Sequence, residues 1–85
     1  MARERDTAEF LAMVRRMIRA GGKRVGEGDE IELADLLALE NDLQEAIVTA
    51  VHGQRELGKS WSDIAAGAGI TKQSAHGRWG DRKAG

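Results

Sequence analysis

Apolar residues recur at helical spacing along most of the chain, and no stretch combines period-two alternation with β-branched or aromatic enrichment. The pattern predicts an all-α fold of four helices. The first spans about Asp6 to Ala20, with Asp6 as cap and Glu9 three residues on in an acidic variant of the capping box. Phe10, Val14, Met17 and Ile18 form its apolar stripe and Leu11 widens it, while Arg15, Arg16 and Arg19 take the outer face. Gly21-Gly22 is expected to end this helix, and the glycine-rich, charged stretch Gly22–Asp29 reads as a flexible connection.

The second helix is expected from about Ile31 to Leu57, roughly 40 Å at 1.5 Å per residue. Acids crowd its first turns and Arg55 stands near its end, as the helix dipole favours. Leu36, Leu39, Leu43, Ile47 and Ala50 make one seam; Leu33, Leu37, Val48 and Val51 make a second beside it. Together they exceed the stripe of about 100° that a single partner needs. Glu40 and Gln44 interrupt the seams, and Glu40 is expected to pair with an arginine of the first helix. So much apolar surface in a short chain favours a second copy, a homodimer through helices 1 and 2, over a monomer in which helices 1, 3 and 4 cover it all.

Beyond Gly58 the pattern changes to two short helices. Ser60 is the candidate N-cap of the third, with Asp63 three residues later, and this helix covers about Trp61 to Gly67. Ala68-Gly69 turns the chain, Thr71 caps the fourth helix, which runs to about Trp79, and Gly80 closes it. Helices this short require tight mutual packing. Ala65 permits a close crossing, and Ile64, Ala68, Ile70, Ala75 and Trp79 are the expected core. Two regions follow: residues 1–58 as a helical pair for dimerisation and support, and residues 59–85 as a second region with a short basic tail.

Composition narrows the function. With 85 residues and no cysteine, disulfides, thiolate metal sites and cysteine nucleophiles are excluded. His52 and His76 are far apart, so no metal is expected. No Ser/His/Asp set, paired carboxylates or phosphate-binding glycine loop can be assembled; no enzyme activity and no cofactor or small-molecule ligand are expected. No run is apolar enough for a membrane span or secretory signal, so a cytoplasmic chain, at the nucleoid, is expected. Net charge is −1, unevenly spread. Residues 1–24 carry seven Lys/Arg against three acids; residues 27–45 carry eight acids and no base; residues 59–85 carry five bases against two acids. The ends are basic and the middle acidic.

The stretch Ser60–Trp79, SWSDIAAGAGITKQSAHGRW, resembles a helix-turn-helix DNA-binding unit. It is similar to the trihelical type of sigma-factor region 4 and AsnC-like domains, and closer to small helix-turn-helix proteins of high-GC bacteria and their phages. Ile64-Ala65, Gly69-Ile70, Thr71, Lys72-Gln73, and Ala75 with Trp79 carry the resemblance. With the end of the second helix it covers about residues 53–80, a third of the chain. Gly77 and Gly80 depart from a robust recognition helix, each costing about 0.5–1 kcal/mol of helix stability.

The resemblance implies double-stranded DNA as partner and a role as transcriptional regulator or small nucleoid-associated protein. Lys72, Gln73, His76 and Gly77 are the candidate base contacts: Gln suits adenine, Lys suits guanine, and Gly77 lets the backbone approach base edges. Lys59, Ser60, Trp61, Ser62, Thr71, Ser74, Arg78 and Arg82 are the candidate phosphate contacts. The alternative is a protein-interaction module that docks on a regulator or polymerase subunit. The basic balance of residues 59–85 favours nucleic acid.

Overall fold

The computed structural model describes residues 2–80, with side chains from Asp6 onward. Four α-helices follow one another: α1 Ala2–Gly26, α2 Glu32–Glu56, α3 Trp61–Ala68 and α4 Lys72–Trp79, with no strand among the described residues. The chain forms two compact units, Met1–Glu40 and Asn41–Gly85, whose boundary falls inside α2.

In the first unit α1 is longer than its sequence suggests. It begins at Ala2, so Asp6 lies within the helix rather than capping it, and Gly21-Gly22 does not end it. The reason is visible on the apolar stripe. Val14, Gly21 and Val25 are its half-buried members, at helical spacing, and a Cβ added at Gly21 would stand 3.9 Å from Leu36 Cδ1. Continuing through two glycines costs about 1 kcal/mol each. In return Val25 joins the stripe, and Lys23 and Arg24 reach the last turn, where cations suit the helix dipole. The expected flexible connection from Gly22 shrinks to residues 27–31. That turn is closed by Gly28 N–H to Val25 O at 3.1 Å and Glu32 N–H to Asp29 O at 3.1 Å.

In the second unit, the end of α2 joins α3 and α4. All the buried hydrophobic residues of the described chain lie here: Val48, Val51, Ile64, Ala65 and Ala75. Ile70 and Trp79 are half-buried, whereas Ala68, expected inside, is exposed. Ala68 is the last residue of α3, directly before the left-handed Gly69 that ends the helix. Ala65, expected to permit a close crossing, is buried at 3% exposure, and Ala75 is fully enclosed. Two methyl-sized side chains at the crossing let the short helices approach closely, which is how eight-residue helices compensate for weak intrinsic stability. Among the described residues no helix is long and apolar enough to cross a membrane.

Candidate nucleic-acid interface

Each helix of the α3–α4 pair has its own local start signal. At α3, Ser60 Oγ accepts from Asp63 N–H at 3.0 Å, and Asp63 Oδ2 accepts from Ser60 N–H at 2.9 Å. This capping box satisfies two backbone donors that a helix start leaves open. The Ser60 amide first, then the Ser60 hydroxyl and the nearby Lys59 charge, hold the Asp63 carboxyl below its ordinary range. At α4, Thr71 Oγ1 accepts from Ser74 N–H at 3.0 Å. Between the helices Gly69 adopts φ 75°, a left-handed conformation that favours glycine. Its N–H reaches Ala66 O at 3.3 Å, and Ile70 N–H reaches Ala65 O at 3.0 Å, which closes the last turn of α3.

With Ala75 enclosed, the opposite face of α4 is fixed. Lys72, Gln73, His76, Gly77 and Arg78 are all exposed, and Gln73 and Gly77 share one side at i, i+4 spacing. A Cβ at Gly77 would meet nothing within 4 Å. The two helix starts differ in charge. The first turn of α3 holds Asp63, whereas that of α4 holds no acid and carries Lys72. A helix N-terminus favours anions, and at α3 the chain's own carboxylate already occupies that position.

Other expected contacts fall around this pair. Lys59, Ser60, Ser62 and Thr71 are exposed, and Ser74 and Trp61 are half-buried. Arg82 lies outside the described residues, as do Lys83 and the side chains of Arg3 and Arg5. The Thr71 hydroxyl accepts in its cap through a lone pair and keeps a proton to donate.

One participant is not evident from sequence spacing. The Arg55 guanidinium lies 4.9 Å from the centre of the Trp61 ring and donates to the Lys59 carbonyl at 3.0 Å. Trp61 in turn meets the His76 ring edge to face at 5.4 Å. Arg55, Trp61 and His76 thus link the end of α2, the start of α3 and the middle of α4. The signal was an arginine six residues before a tryptophan, but only the turn at Gly58, with φ 93°, makes that spacing a contact. His76 is consequently exposed yet positioned: a ring on one side, and on the other Gly80, whose added Cβ would stand 3.0 Å from its ring atoms. The remaining histidine, His52, is half-buried on α2, and its Nε2 is buried with no hydrogen-bond partner. Among the described residues no three His, Asp or Glu side chains gather as metal ligands would.

Compared with known protein families, curated proteins and solved structures, the chain matches none.

Proposed function

We propose that the second unit is a helix-turn-helix that binds double-stranded DNA, with α4 in the major groove. The observation that carries this reading is the composition of the α4 surface. It has an acid-free first turn bearing Lys72, and an outward side bearing Gln73 and Gly77, presented by a helix whose inner position, Ala75, is enclosed. Gln73 has the paired donor and acceptor that match adenine, and Lys72 suits guanine O6 and N7. Gly77 lets the backbone approach base edges, and His76 donates to a base from a position set by Trp61. Phosphates are held by the α4 start with Thr71 and Ser74, by Arg78, and at the flank by Lys59, Ser60, Trp61 and Ser62. Because Asp63 already fills the α3 start, the α4 start is the stronger phosphate site.

A single short helix with few large side chains reads a short motif, which suits a local transcriptional regulator or a small nucleoid-associated protein acting at many sites. The test is a binding titration over a range of salt on cognate and unrelated duplexes. Gln73→Ala is expected to weaken cognate binding far more than unrelated binding, and Arg78→Ala to reduce the salt slope by about 0.9, one phosphate contact. Equal losses on both duplexes together with an unchanged slope overturn the reading.

A further inference from the structure

The first unit lacks a core of its own. None of its described residues is buried, and Phe10, Leu11, Met17 and Ile18 on α1 and Leu33 and Leu37 on α2 are between 45% and 63% exposed. Only the centre of the α1 stripe, at Val14, Gly21 and Val25, is half-buried; both flanks of that stripe are open to solvent. Contiguous apolar surface of this kind marks a binding face.

Charge identifies the occupant. Among the described residues of this unit no Arg or Lys forms an ion pair with a carboxylate, although α1 is basic and the start of α2 acidic. Glu40 is the clearest case. It stands among the leucines of α2, was expected to pair with an arginine of α1, and instead is exposed and unpaired. A partner that covers the apolar face must set acids against α1 and bases against α2. The same unit related by a two-fold axis does both at once, since a self-complementary patch meets itself.

We propose that a second copy of this chain covers the first unit, with α1 of one copy laid along α2 of the other. The arginines at 15, 16 and 19 then face acids of the partner, Glu40 gains a cation as it loses water, and the uncovered flanks of both stripes are buried. Burying Glu40 without such a cation is strongly unfavourable, which sets the pairing as well as the contact.

The test is sedimentation of the full chain with two charge-reversed variants, Arg15→Glu/Arg19→Glu and Asp35→Lys/Glu40→Lys. The parent chain is expected at twice the chain mass at high micromolar concentration. Each variant alone sediments as a monomer, because like charges meet across the interface, and an equimolar mixture regains the dimer mass. The substituted side chains are exposed, and the recovery of dimer in the mixture itself shows that both variants fold. A parent chain that stays monomeric, variants that dimerise alone, or a mixture that stays monomeric overturns the proposal.

Discussion

The Arg55 guanidinium stands 4.9 Å from the centre of the Trp61 ring and is anchored there by the Lys59 carbonyl. A cation over an indole at an exposed site contributes about 0.5–1 kcal/mol. The pair joins the end of α2 to the start of α3. Arg55→Ala is expected to lower unfolding stability by about 1 kcal/mol in urea titrations followed by circular dichroism, since the hydrogen bond is lost as well. Arg55→Lys keeps the charge but loses the planar stack and recovers only part of that stability. Equal stability of all three proteins would show that the stack contributes nothing.

Two glycines of the α4 segment are expected to respond oppositely to the same substitution. Gly77 faces open space, so Gly77→Ala restores helix propensity and stabilises by about 0.5–1 kcal/mol. At Gly80 an added Cβ would stand 2.5 Å from the His76 carbonyl, so the backbone must shift, and Gly80→Ala destabilises by about 1 kcal/mol or more. Thermal unfolding of the two variants decides the matter. In the major-groove reading a methyl added at position 77 also stands between helix and bases, so Gly77→Ala lowers DNA affinity while it raises stability.

Asp63 gives the α3 start a pH dependence. Its folded-state carboxyl titrates below the unfolded one, because the Ser60 amide and hydroxyl favour the ionised form. The stability this supplies is fully present above the unfolded carboxylate range and is lost as pH falls through the folded value. Asp63→Asn is expected to be less stable than the parent at neutral pH, with the difference shrinking in acid. A difference that stays constant down to the lowest pH reached would place the effect elsewhere.

His52 carries a buried ring nitrogen without a partner. Such a group has lost its water and gained nothing in return. His52→Leu is therefore expected to be neutral or to stabilise by up to about 1 kcal/mol, as read from the urea midpoint. A loss of that size would mean that the nitrogen is hydrogen-bonded in solution.

Much of the helical architecture was legible where local chemistry decides it. Ser60 with Asp63, Thr71 before a short apolar pattern, and Gly69 in the turn announce their roles through residue type and spacing, and the bounds of α2, α3 and α4 agree to within about a residue. The end of α1 was not legible, because the capping signal of Gly21-Gly22 competes with a stripe that continues to Val25. Ala65 and Ala75 as the small inward residues follow from size, whereas Ala68, the last residue of α3 before the Gly69 cap, is exposed. The candidate α4 surface follows from Ala75 as the inward position. The Arg55–Trp61–His76 link was not legible, since it depends on a turn between two helices rather than on any spacing within one.

The most direct test of the DNA reading is selection of bound duplexes from a fragmented genomic library at about 150 mM salt, where purely phosphate-driven binding is already weakened. Recovery of a short common motif by the parent chain, and its loss with Gln73→Ala, is the expected result. No enrichment over input by a chain shown to be folded would contradict it, and would turn the α4 surface over to a protein partner.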